Sequence, residues 1–119
     1  MPKRARQQGE LESQIMDVLW DAPAPQTSQQ ILETVSAGGE LAITTVLTVL
    51  SRLSDKGLIK REAGEGRSLL FSARQTREAY AAESMLKLFS EAGNPALAMS
   101  HFAKGLTADQ LAELKRAIK

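Results

Sequence analysis

Thr44, Thr45, Thr48 and Arg52 are the side chains whose types and spacing offer the clearest chemistry. Plotted at about 100° per residue, Thr44, Thr48, Ser51 and Asp55 share one helical face, flanked by Leu47 and Arg52. Val46, Val49, Leu50 and Leu53 fall on the opposite arc. A threonine hydroxyl can donate or accept at a base edge or a phosphate, its methyl can pack on a thymine methyl, and Arg52 can reach a phosphate or a guanine. Thr44 and Thr45 stand at the helix start, where open amides and the helix dipole favour a phosphate. Insertion into a major groove competes here with the plain alternative of an ordinary solvated face. Lys56, Lys60, Arg61 and Arg67 follow within a few residues. They are expected to contact phosphates, which positions a protein without reading sequence. The alternative is a solvated charge run.

Other chemistries have little material. With no Cys, the chain has no disulfide, thiolate metal site or cysteine nucleophile, and His101 is the one imidazole. A lone His beside Phe102 reads as structural, so no metal site, no cofactor and no enzyme activity are expected. Glu10, Glu12 and Asp17 sit on the polar face of a helix whose N-terminus favours acids, which accounts for them without catalysis. Aromatics at 4% leave few stacking platforms for single strands. No apolar run approaches the roughly 18 residues of a membrane span, so no membrane insertion is expected.

These side chains need a scaffold, and 119 residues suit one domain or a small domain with an oligomerisation arm. Residues 1–9 read as a basic tail carrying Lys3, Arg4 and Arg6. From Glu10, Leu11, Ile15, Val18 and Leu19 recur as one face of an amphipathic helix that Pro23 and Pro25 end. Trp20 widens that stripe and reads as core. Thr27 and Gln30 form a capping box for a short helix burying Ile31, Leu32 and Val35, with Gly38-Gly39 as its left-handed exit. The third helix runs from about Ala42 to Lys56, and Gly57 stops it. Its Thr and Val are modest helix formers, so packing must hold it.

The period then changes from helix to strand. Leu58 to Glu62 and Ser68 to Ser72 flank the tip Gly64-Glu65-Gly66-Arg67, a hairpin. The fold class expected is mainly α with a small β-hairpin wing: a winged helix-turn-helix domain over residues 10–75, plus a C-terminal helical arm over 76–119. In the arm, a helix from Arg77 to about Glu91 precedes one opened by Asn94-Pro95 and closed by Gly105. Thr107 and Gln110 then cap a last helix. These 44 residues are too few for an independent core, so they fold back or pair with a second copy. Leu86, Phe89, Leu97, Phe102, Leu111, Leu114 and Ile118 are the expected dimer interface.

The net charge of +1 conceals an asymmetry. Residues 7–41 carry six acids and no Lys or Arg, whereas 42–75 carry six bases against three acids. The basic stretch coincides with the third helix and the hairpin, the segments proposed for a polyanion.

Gly9-Glu10-Leu11-Glu12 leading to Ile15-Met16-Asp17-Val18-Leu19-Trp20 resembles the first helix of the penicillinase-repressor family. Thr44-Thr45-Val46-Leu47-Thr48-Val49-Leu50-Ser51-Arg52-Leu53-Ser54-Asp55-Lys56-Gly57 is similar to its recognition helix. Ala98-Met99-Ser100-His101-Phe102 and Leu106-Thr107-Ala108-Asp109-Gln110-Leu111 resemble its tail. The resemblance implies a bacterial cytoplasmic repressor that binds a pseudo-palindromic operator in double-stranded DNA as a homodimer. In one branch of the family a membrane-bound sensor-protease system that detects β-lactams triggers cleavage near the tail. That step falls at Asn-Phe, and His101-Phe102 stands at the corresponding place here as the possible cleavage site. A copper-responsive branch uses C-terminal cysteines, which this chain lacks. The family often has Lys or Arg where Thr44 or Leu47 stands, so the operator sequence does not follow from the resemblance. A winged-helix protein-interaction module without DNA binding is the competing expectation, and it calls for apolar anchors on the third-helix face.

Overall fold

The computed structural model describes residues 8–119, and Lys3, Arg4 and Arg6 lie outside the described residues. In order, the elements are α1 (Gln8–Asp21), α2 (Ser28–Val35), α3 (Ile43–Asp55), β1 (Ile59–Ala63), β2 (Leu69–Ala73), α4 (Arg77–Glu91), α5 (Pro95–Gly105) and α6 (Ala108–Ala117). They form two compact units, one ending at Arg77 and the other running from Glu78 to Lys119. Helix α1 begins two residues ahead of the apolar periodicity, because polar Gln8 and Gly9 contribute nothing to that signal.

In the first unit α1, α2 and α3 pack on one another and on the hairpin. Ile15, Ile31, Val46, Leu50, Leu53 and Ile59 are the most deeply buried, with Leu11, Met16, Leu19, Val35, Val49 and Phe71 around them. Leu32, Val18 and Trp20 pack at the margin of this core rather than inside it. Burying a leucine-sized side chain contributes about 1.5–3 kcal/mol. That gain holds α3 despite its Thr and Val, and despite an N-cap, Ala42, that makes no side-chain capping bond.

The strands pair antiparallel, with Ile59 opposite Ala73 and Ala63 opposite Leu69. Only Ile59 of β1 is buried, so the strand leaves the core after one residue and its tip projects as a wing. Gln26 exchanges backbone bonds with Phe71, donating at 2.9 Å and accepting at 2.8 Å, which adds a third strand one residue long. A single bridging residue has no alternation, so nothing in the sequence marks it.

The helix ends show which caps the sequence encodes. Thr27 Oγ1 accepts from the Gln30 amide at 3.1 Å while Gln30 Oε1 accepts from the Thr27 amide at 2.8 Å, a closed capping box. The exit of α2 differs from expectation: Ser36 is the cap, and only Gly39 has a positive φ, at 75°. Ser36 replaces the glycine because its own amide still reaches Leu32 O at 2.8 Å, extending the helical bonding by one residue. At the end of α3 the Leu58 amide donates to Leu53 O and the Gly57 amide to Ser54 O, both at 3.0 Å. This is a Schellman motif, with Gly57 at φ 74° in the left-handed position. It turns the chain from α3 directly into β1.

In the second unit Asn94 Oδ1 accepts from the Leu97 amide at 3.1 Å, with Pro95 opening α5. Gly105 is the last residue of α5 rather than lying beyond it, and Leu106 is the cap. Thr107 and Gln110 close a second capping box at 3.1 and 2.9 Å. None of α4, α5 and α6 contains a buried residue. Local capping fixes where α5 and α6 start, and no buried core fixes the three helices to each other.

A Cβ at position 57 would meet nothing within 4 Å. Gly57→Ala is therefore expected to lower stability through backbone conformation alone, by about 1–2 kcal/mol, as read by urea denaturation. Gly57→Asn should lose less, because Asn tolerates the left-handed region.

Candidate nucleic-acid interface

The turn between α2 and α3 sets how α3 is presented. Ser36 is buried, and its Oγ accepts from the Leu41 amide at 2.8 Å while its carbonyl accepts from the Gly39 amide at 2.9 Å. These bonds fasten both ends of the turn to the last residue after α2. With Val46, Val49, Leu50 and Leu53 turned into the core, Thr44, Thr45, Leu47, Thr48, Ser51 and Arg52 are left exposed on α3. The face is largely hydroxylic, with Leu47 its one large apolar side chain, so it lacks the apolar anchors a protein-docking face calls for.

One hydroxyl on that face is committed. Thr48 Oγ1 donates to Thr44 O at 2.9 Å, within the helix. With its proton used there, the Thr48 oxygen is free to accept from an outside donor, and donating outward would cost it the bond within the helix.

The basic residues divide into two groups. Lys56 Nζ lies 2.7 Å from Glu12 Oε1, tying the end of α3 to α1. Arg52, Lys60, Arg61, Arg67 and Arg74 are exposed and make no ion pair among the described residues. Lys60 pairs with Ser72 and Arg61 with Phe71, so strand alternation sends these two cations to opposite faces of the wing. Arg67 sits at the tip, in the turn closed by the Ser68 amide donating to Glu65 O at 3.2 Å. The structure thus brings Arg52 together with the threonines of α3, and spreads the other cations over the wing.

Arg77 is a structural residue whose role the sequence did not reveal. Its guanidinium donates to Asp21 at 3.0 Å and Asp17 at 3.4 Å, and lies 5.2 Å from the centre of the Trp20 ring. The Asp21 hydrogen bond, ahead of the Asp17 contacts, pushes the Arg77 pKa above its already high ordinary value. Trp20 Nε1 donates to Gln75 O at 3.0 Å, so the segment after β2 is fastened to α1 twice. Asp17 and Asp21, one helical turn apart beside Trp20, were the available signal.

In the second unit Leu86, Leu97, Phe102, Leu111, Leu114 and Ile118 are exposed and Phe89 is half-buried. His101 is exposed beside Phe102 on α5, so the expectation of a packed, structural histidine is not met within one chain. The described residues contain no group of three or more His, Cys, Asp or Glu placed to hold a metal ion. No helix among them is long and apolar enough to cross a membrane.

A helix fastened by its apolar face behind a tight turn, followed by a basic two-stranded wing, defines the winged helix-turn-helix class of DNA-binding transcriptional regulators. The chain matches the penicillinase repressor family model over residues 8–119 and belongs to that family. It is 35% identical over 113 residues to the Transcriptional regulator BlaI of Mycobacterium tuberculosis strain H37Rv, spanning 92% of this chain and 81% of that protein. The same values hold for the protein of that name from strain CDC 1551. Among solved structures, a MarR-family transcriptional regulator from Rhodococcus sp. RHA1 superposes over 91% of this chain and 69% of its own, at a TM-score of 0.49 and 13% identity.

Arg67→Ala is expected to lower the steepness of the salt dependence of DNA binding by about one charge per protomer while leaving sequence preference unchanged. Lys56→Ala should differ in also lowering the melting temperature, because it leaves Glu12 unpaired. Salt titrations of DNA affinity and thermal melts of both variants check this.

Proposed function

We propose that the chain is a homodimeric repressor acting in the cytoplasm, in which α3 enters the major groove of a pseudo-palindromic operator and the wing rides the backbone. The observation that carries the reading is the exposed α3 face, where Thr44, Thr45, Thr48 and unpaired Arg52 stand on a helix locked by its other side. Arg52 supplies the donating charge for a guanine or a phosphate. Lys60, Arg61 and Arg67 neutralise phosphates, and Lys56 joins them where its ion pair with Glu12 leaves donors over. A fragmentary basic footprint of this kind gives a single copy modest affinity, and two copies joined together multiply it.

Residues 76–119 are the proposed dimerisation region. Among the described residues, nine of the eleven exposed large hydrophobics lie in the unit from Glu78 onward. Covering such side chains with their counterparts on a second copy removes apolar area from water without needing any other partner. Two reading helices related by a two-fold axis then address half-sites roughly one helical turn, about 34 Å, apart or a multiple of it. Release of repression is proposed to occur by proteolysis in the C-terminal region, near His101-Phe102, under a β-lactam or cell-wall signal from a membrane-bound sensor-protease. Cutting there would split α5, release its last turn together with α6, and weaken the pairing of half-sites.

Light scattering at tens of micromolar should give twice the chain mass of 12.9 kDa. Leu86→Glu with Ile118→Glu should bring it to the monomer value without unfolding α1–α3. A monomeric wild-type chain would overturn the dimer. Arg52→Ala should weaken operator binding by about 1–3 kcal/mol in a gel-shift titration, and undiminished affinity would remove Arg52 from the interface.

A further inference from the structure

We propose that Leu47 is a specificity-determining residue that reads the C5-methyl group of a thymine in each operator half-site. The inference rests on the proposed entry of α3 into the major groove and adds to it what the helix can tell apart there. Among its described residues the first unit exposes two large apolar side chains, Leu47 on α3 at 44% and Leu69 on β2 at 43%. Leu69 stands in the wing, opposite Ala63. Leu47 stands in the N-terminal half of α3, the part of a recognition helix that meets base edges. Exposed Thr44 lies one turn before it and exposed Ser51 one turn after it, with half-buried Ile43 also one turn before, so hydroxylic side chains flank it along the exposed face.

A leucine neither donates nor accepts hydrogen bonds, so among base edges it can favour only an apolar group. In the major groove of B-DNA that group is the thymine methyl, and the minor groove offers none. The neighbouring threonine strengthens the argument. The Thr48 hydroxyl gives its proton to Thr44 O at 2.9 Å, so donating to the O4, O6 or N7 acceptors of a base would mean giving up that bond. Beside Leu47, therefore, one of the side-chain donors of α3 is already engaged within the helix. Donation to base acceptors passes to other positions, Arg52 foremost, and Leu47 adds discrimination by packing.

The test begins with selection of duplexes from a randomised pool by the full-length wild-type chain. Each thymine of the selected duplex is then replaced singly by deoxyuridine, which removes the methyl and nothing else. At one thymine per half-site, affinity for the wild type should fall about fourfold, the worth of one buried methyl-sized group. Leu47→Ala should bind the thymine and deoxyuridine duplexes equally at that position. Its side chain is exposed, so its thermal melt should match the wild type. Leu47→Gln should shift the selected base at that step toward adenine, whose N6 and N7 suit a glutamine amide. An undiminished thymine preference in Leu47→Ala would assign the methyl to another side chain and overturn the proposal. So would an enriched duplex with no methyl-sensitive thymine. Failure of the wild type to enrich any duplex is a different result, which overturns the DNA-reading function of α3 and the role of Leu47 with it.

Discussion

The uneven burial of apolar surface governs this molecule. Among the described residues all twelve buried apolar side chains belong to the unit that ends at Arg77, and the unit from Glu78 has none. In the first unit burial does directional work. Fixing Val46, Val49, Leu50 and Leu53 inward leaves α3 no freedom about which side chains it shows. The hydroxyl face is exposed because the opposite face is indispensable to the core. In the second unit the same effect is unsatisfied. Three helices carry leucines, methionines and a phenylalanine in contact with water, and covering the most exposed of them, such as Leu86 and Ile118, gains up to about 1.5–3 kcal/mol each. The proposed second copy would supply the covering surface that so small a unit cannot build for itself.

Electrostatics follows the same division of labour. The acids of α1 look at first like a barrier to a polyanion. Several are spent internally: Glu12 on Lys56, and Asp17 and Asp21 on Arg77. These pairs fasten the end of α3 and Arg77 to the first helix, and the exposed pairs of Arg77 contribute little stability individually. Their larger effect is on what remains. Arg52, Lys60, Arg61 and Arg67 are left without carboxylate partners among the described residues, on the helix and wing that face outward. A chain of net charge +1 thereby presents a basic surface where contact with phosphates is proposed.

Most of the framework was legible in the sequence because it is written in local signals. The capping boxes at Thr27 and Thr107, the proline after Asn94 and the stop at Gly57 each fix a boundary within a few residues. The inward arc of α3 follows from helical periodicity alone. What escaped depends on contacts between distant segments or on a single atom. The Gln26–Phe71 bridge has no pattern, and the Ser36 hydroxyl acts on Leu41 across a turn. Arg77 meets Asp17 and Asp21, which stand 60 and 56 positions before it in the chain. The proton of Thr48 is invisible to periodicity, since an exposed threonine looks equally able to donate or accept. At the proposed interface, residue types were legible, while their commitments to each other were not.

The proposed dimer requires the second unit to find its missing core in another copy. Hydrogen–deuterium exchange of the full-length chain at tens of micromolar addresses this directly. Amides of α4, α5 and α6 are predicted to exchange slowly there, and Leu86→Glu with Ile118→Glu should release them while α1, α2 and α3 stay protected. Rapid exchange throughout the three C-terminal helices in the wild type, beside a protected first unit, would contradict it.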